Sequence, residues 1–269
     1  MTKTWFITGA SRGFGRIWAS AALSRGDRVA ATARTVESLQ PLVDQYGDAL
    51  LPLRLDVTDR GAAATAVREA VGAFGRLDVV VNNAGYGLFG MVEEITEAQA
   101  RAQLDTNLLG PLWVTQAVLP FLRAQASGHI LQVSSLGGLA AFPTLGLYNA
   151  SKWGLEGLSE ALAQEVGPLG IHVTIVEPGP YGTDWSGASA DHAEPISAYE
   201  PIREARRAGA TARAPQDPQV TADVILELVD TDEPPLRLFL GEYPYPVVEA
   251  AYRQRLETWD AWRPLATKA

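Results

Sequence analysis

No cysteine occurs among the 269 residues, which removes disulfide frameworks, thiolate metal sites and thiol nucleophiles together. Chemistry must therefore run on oxygen, nitrogen or a borrowed cofactor. Histidine is almost as scarce. His129, His172 and His192 show no ligand spacing toward carboxylates, so no metal site is expected. Basic residues are in deficit, with 22 Lys and Arg against 31 Asp and Glu and a formal charge of −9. Neither nucleic acid nor an anionic membrane surface is then an expected partner through bulk charge, and a phosphate ligand needs arginines of its own. Long apolar runs are missing too. The uncharged stretches 106–122 and 130–151 are broken by proline and by Gln, Asn, Ser and Thr, and the first nine residues are too short for a signal-peptide core. A cytoplasmic protein is the expectation.

What is present is a composition of 47% hydrophobic and 20% charged residues, that of a chain able to bury a large core. Apolar runs of strand length fall at 4–8, 28–33, 51–55, 79–81, 130–133, 173–176 and 236–240. Helix-length segments alternate with them, 14–25, 36–46 and 59–74 each ending at or beside a glycine. Repeated strand–helix–strand units of this kind predict an α/β fold with a doubly wound, mainly parallel sheet in a single domain over 1–269. One segment breaks the rhythm: 184–218 is rich in Ala, Pro, Ser and Gly, with a short helix expected at 202–208. A connection of that length reads as a substrate lid. A last helix is expected around 246–262, while the acidic pairs Glu93-Glu94 and Asp232-Glu233 read as solvated surface.

The first strand runs into Thr8-Gly9-Ala10-Ser11-Arg12-Gly13-Phe14-Gly15, which opens the first helix. Glycines there let backbone amides approach a pyrophosphate at a helix N-terminus. The Gly-x3-Gly-x-Gly spacing is not that of a lysine-containing ATP loop. The second strand ends in Ala33-Arg34, and no acid stands between Asp27 and Glu37 to accept from an adenosine ribose. Arg34, with Arg12 from the glycine turn, is placed for a 2′-phosphate instead, so NADP(H) is expected in preference to NAD(H).

With these motifs in order, the chain over roughly residues 3–241 resembles the short-chain dehydrogenase/reductase family, in its single-domain, NADP-preferring branch with a Rossmann-type fold. The resemblance rests on the glycine turn, Asp56-Val57, Asn82-Asn83-Ala84-Gly85, Asn107, Ser135, Tyr148-x3-Lys152, and Pro178-Gly179 with Thr183. It implies that Tyr148 is the proton donor in carbonyl reduction and the base in alcohol oxidation. It also implies that Ser135 polarises the substrate carbonyl and that Asn107 holds a water beside Lys152. Ser135 is preferred to Ser134 because its interval of thirteen to Tyr148 matches the family's. Bringing a phenol from pKa ~10 to ~7 needs roughly 4 kcal/mol, and a lysine at ~4 Å in an effective dielectric of ~20 supplies about that much. By the same resemblance Gly9, Ser11, Arg12, Gly13, Phe14, Gly15 and Arg34 hold the phosphates, and Asp56 and Val57 the adenine. Asn83, Ala84 and Gly85 border the adenosine ribose, while Tyr148, Lys152, Pro178, Gly179 and Thr183 border the nicotinamide side.

Aromatic and aliphatic residues around these positions, namely Tyr86, Phe89, Leu136, Phe142, Leu145, Tyr181 and Trp185, outline an apolar substrate pocket. The expected activity is NADPH-dependent reduction of a hydrophobic ketone, reversible as a secondary-alcohol dehydrogenase. A non-catalytic dinucleotide-binding sensor or scaffold is the competing reading. Family members pair through the helices corresponding to 106–122 and the one beginning near Tyr148, which implies a homodimer or homotetramer.

Overall fold

The computed structural model describes residues 2–187, 189–211 and 214–268. Its strands are β1 (Thr4–Ile7), β2 (Arg28–Ala33), β3 (Leu50–Arg54), β4 (Val79–Asn82), the two-residue β5 (Leu88–Phe89), β6 (Gly128–Val133), β7 (Ile171–Pro178), the two-residue β8 (Asp191–His192) and β9 (Arg237–Leu240). Seven form one sheet in the order β3-β2-β1-β4-β6-β7-β9, and every ladder in it is parallel. The short β5 and β8 pair with each other outside it. The helices are α1 (Gly13–Ser24), α2 (Gln40–Tyr46), α3 (Arg60–Phe74), α4 (Glu97–Leu104), α5 (Gly110–Gln125), α6 (Gly146–Val166), α7 (Glu200–Thr211), α8 (Thr221–Asp230) and α9 (Pro244–Ala266).

Strand alternation sorts the core into two layers. Trp5, Ile7, Val29, Val79 and Val81 point to one face, where Trp18 of α1, Leu42 of α2 and Ile225 of α8 cover them. Phe6, Ala30, Val80 and Ile130 point to the other, under Val67 of α3, Val118 of α5 and Leu162 of α6. Burial on both sides explains why these strands read as unbroken apolar runs. Cap chemistry sets helix ends: the Asp59 carboxylate accepts from the Ala62 N–H at 2.9 Å to start α3, and Gly75 closes it at φ 80°.

Two expected helices are divided, each at a proline. The 36–46 segment is a 3₁₀ turn (Val36–Leu39) followed by α2, whose second residue, Pro41, has no N–H to continue the first turn. In 106–122 a π turn (Asp105–Leu109) precedes α5, whose second residue is Pro111. The helix expected at 202–208 extends over Glu200–Thr211, and the last helix over Pro244–Ala266. Residues 188, 212 and 213 of the 184–218 segment lie outside the described residues. Among the described residues no helix is long and apolar enough to cross a membrane.

Candidate active site

In an open parallel sheet the crevice forms where the strand order reverses, here between the carboxyl ends of β1 and β4. A cavity of about 1200 Å³ opens there. Of all the residues singled out from the sequence for cofactor, catalysis or substrate, only Gly15 and Asn107 stay off its wall. Gly15 works from underneath. A Cβ on it would meet the Gly9 carbonyl oxygen at 2.5 Å, so only glycine lets α1 pack against the turn that precedes it. Gly13 begins α1 at φ 55°, a left-handed conformation that a side chain would strain. That helix start carries no side-chain cap and no acidic residue in its first turn, which leaves its amides for an anion. The turn is locked to β4. Asn83 Nδ2 donates to the carbonyls of Thr8 (2.9 Å) and Gly9 (3.1 Å), while Thr8 Oγ1 accepts from the Asn83 and Ala84 amides at 2.9 and 3.0 Å.

The two arginines of the turn and of β2 differ in their engagements. Arg34 is exposed at the cavity wall, with no carboxylate of the described residues paired to it, whereas Arg12 forms an ion pair with Asp184 at 3.2 Å. An uncapped helix start, a turn that admits no Cβ, a cation past β2 and a continuous cavity from there to Tyr148 fit a nicotinamide dinucleotide. Among the described residues no cluster of His, Asp and Glu could hold a metal ion.

Tyr148 and Lys152 lie one turn apart on α6 and are 5% and 6% exposed. Lys152 Nζ donates to the Val133 carbonyl at 2.7 Å and stands 5.9 Å from the centre of the phenol ring. Burial lowers its pKa to about 8, against which the Glu156 carboxylate one turn further on acts to raise it. Burial likewise pushes the Tyr148 phenol up to about 12. The Ser135 hydroxyl and the Trp185 indole N–H pull it back in part, although the indole lacks the alignment of a full hydrogen bond. The lowering toward ~7 expected from the lysine does not show in this structure, where desolvation is the largest influence on the phenol and the ammonium is tied to the Val133 carbonyl. Ser135 Oγ accepts from the Gly137 amide at 3.0 Å, which leaves its own proton to donate. Ser134 faces the other way, toward Glu156.

Asn107 is fully buried, and its amide is used mainly on Tyr86: Oδ1 accepts from the Tyr86 N–H at 3.1 Å, and Nδ2 donates to the Tyr86 carbonyl at 3.0 Å and to the Ser151 hydroxyl at 3.4 Å. Its side chain thus fixes Gly85-Tyr86 beside Lys152.

Beyond the phenol the wall is aromatic. Trp185 packs edge-on against Tyr148 at 4.9 Å between ring centres and against Phe89 at 5.2 Å. Leu136 and Leu145 are buried beside them and Phe142 half-buried. Tyr181 also lines the cavity, but at the glycine-turn end, edge-on to Phe14 at 5.4 Å. The segment after Thr183 closes over this wall and is anchored through Glu94. That carboxylate is buried, ion-paired to Arg203, and accepts from the Met91 and Ile196 amides at 2.7 Å each. These contacts hold its pKa at about 2. The solvated role expected for Glu94 is thereby corrected: it is an internal anchor, and Glu93 accepts from the Tyr199 hydroxyl. Sequence reading also missed Arg206 and Asp191 on the cavity wall. They belong to a segment without periodicity, and no local signal marks them.

The short chain dehydrogenase signature matches residues 3–194. The chain is 42% identical over 271 residues to the oxidoreductase BOA17 of Botryotinia fuckeliana, spanning 99% of this chain and 98% of that protein. A solved short-chain dehydrogenase from Streptomyces avermitilis superposes with a TM-score of 0.93 at 37% identity, over 99% of this chain and 98% of that one. An alcohol dehydrogenase from the archaeon Thermococcus sibiricus, solved with 5-hydroxy-NADP, gives 0.75 at 27% identity, over 89% and 96%.

Proposed function

Because the chain belongs to the short-chain dehydrogenase/reductase family of oxidoreductases, we propose that it reduces the carbonyl of a hydrophobic ketone with NADPH and runs in reverse as a secondary-alcohol dehydrogenase. One observation carries the reading: a buried phenol, a serine hydroxyl and a buried ammonium converge on a cavity whose adjoining wall is aromatic. The α1 amides, Gly9, Gly13 and Arg34 would hold the phosphates of the dinucleotide, and Asn83 to Gly85 and Lys152 its ribose ends. When bound, that cofactor supplies a hydride to the carbonyl carbon or takes one from the alcohol.

Ser135 donates to the substrate oxygen, where negative charge grows in the transition state. Tyr148, fully protonated at neutral pH with its pKa near 12, is set to give its proton to the same oxygen. Lys152 compensates the phenolate left behind, held in line by Val133 and by the Gly85-Tyr86 backbone that Asn107 fixes. The preference for NADPH is supported by Arg34 and by the lack of an acid at the end of β2. Assembly as a homodimer or homotetramer through α5 and α6 belongs to the same reading, and sedimentation equilibrium measures it.

Tyr148→Phe is expected to cut ketone turnover by about 10²–10⁴-fold while NADPH binding stays nearly unchanged. Undiminished turnover in that variant overturns the mechanism. Tight NADPH binding with no turnover over aryl, polycyclic and medium-chain ketones would instead mark a dinucleotide sensor.

A further inference from the structure

Three arginines project from α7, and two are satisfied. Arg203 pairs with Glu94 and Glu200, and Arg207 with Glu200 at 2.9 Å. Arg206 is half-buried and turned into the cavity wall, and no carboxylate of the described residues pairs with it. The two acids nearby on the same wall are engaged elsewhere. Asp184 pairs with Arg12, and Asp191 accepts from the His192 amide at 2.8 Å. Arg206 is nevertheless held in place, donating one N–H to the Pro143 carbonyl at 3.0 Å and lying 5.4 Å from the centre of the Phe89 ring. A guanidinium has five N–H donors, so most of its fork remains for a ligand. Burial lowers its pKa, the cost of a cation that lacks its counter-charge.

We infer that Arg206 is an anion subsite of the substrate pocket, and that the physiological substrate is a ketone, or the matching alcohol, bearing a carboxylate at the end away from the reacting carbon. This rests on the ketone-reduction reading for the reacting end only. Successive ring contacts, Arg206 on Phe89, Phe89 on Trp185 and Trp185 on Tyr148, separate the guanidinium from the phenol. The carboxylate is accordingly several bonds from the carbonyl, with an apolar body between them along the aromatic wall. Planar bidentate pairing with a carboxylate is the geometry a guanidinium fork matches best.

The test separates binding from catalysis. Titration calorimetry on the NADP⁺-saturated protein compares an inert pair, 4-phenylbutyrate and 4-phenylbutanamide. Wild type is expected to bind the carboxylate about tenfold or more tightly than the amide, Arg206→Gln to show a ratio near one, and Arg206→Lys to keep part of the preference. Equal binding of the two by wild type overturns the subsite whatever the variants do, and so does an Arg206→Gln protein that keeps the full ratio. A parallel turnover assay with 4-(4-acetylphenyl)butyrate and its amide, in which the ring lies between the carbonyl and the carboxylate, reads the other claim. Binding preference without turnover sinks ketone reduction and leaves the subsite standing, whereas turnover without preference does the reverse.

Discussion

At the scale of the residue, the site is governed by what burial does to two ionisable groups. Tyr148 is kept protonated far above neutrality, while Lys152 loses its proton near pH 8. If the ammonium is what stabilises the nascent phenolate, kcat/KM for ketone reduction should be level below about pH 8 and fall as pH rises through that value. Lys152→Arg, charged at all accessible pH, should lose activity overall but move that alkaline limb upward. A limb at the same pH in both proteins would show that another group sets it. Arg34 is the second residue with a readable consequence. Since Arg12 is drawn to Asp184, the proposed discrimination between dinucleotides would fall mainly on Arg34. Arg34→Asp is expected to shift the NADPH-to-NADH ratio of kcat/KM toward NADH by about 10–100-fold, the size of a charge-assisted bond lost and a repulsion gained. Arg12→Ala should shift it less, and an unchanged ratio in Arg34→Asp removes the 2′-phosphate assignment.

Elements divide into those whose stabilising contacts are local or layered and those held by distant polar partners. The anchor of the 184–218 segment is of the second kind, since Glu94 meets Ile196 and Arg203 across more than a hundred residues of chain. Glu94→Gln keeps the shape but discards the ion pair. It should raise the KM for ketones severalfold with a smaller effect on dinucleotide affinity, both measured by steady-state kinetics. Equal losses in the two would mean that the segment steadies the whole site rather than covering the substrate. The same division explains what could be read in advance. Val79-Val80-Val81 announces a strand buried on both faces, and Asp59 with Gly75 brackets a helix, because their causes lie within a few residues. Tyr148-x3-Lys152 and the glycine turn are legible because the chemistry demands fixed spacing on one element. Glu94 looked solvated because its partners arrive from a segment without period, and Arg206 carried no mark at all. The direction of the Tyr148 shift was hidden for a different reason: spacing reveals the lysine, but not how completely the phenol is cut off from water.

For the whole molecule, the −9 balance has a buried counterpart. Glu177 of β7 is fully enclosed and Glu156 of α6 nearly so. The cation facing both is Arg237 of β9, 3.5 and 3.2 Å away and shared with Glu160 at 2.9 Å. Lys152 and Ser134 face Glu156 from α6 and from the end of β6. Burial first, then repulsion from Glu156, raises the pKa of Glu177 to about 9, so the folded protein keeps a proton at neutral pH that an unfolded glutamate, titrating near ~4.3, has released. The unfolded state then binds fewer protons than the folded one. Stability from this group is complete below about pH 4 and is lost as pH rises toward 9. Glu177→Gln holds a neutral, isosteric group at every pH. Thermal melts at pH 5.5 and 8.5 should show the wild-type Tm falling between the two, and the variant falling less and melting higher at pH 8.5. Parallel declines in both proteins would place the alkaline loss elsewhere, in Lys152 or the surface charges, and would mean that the acid pair between α6 and β7 is ionised despite its burial.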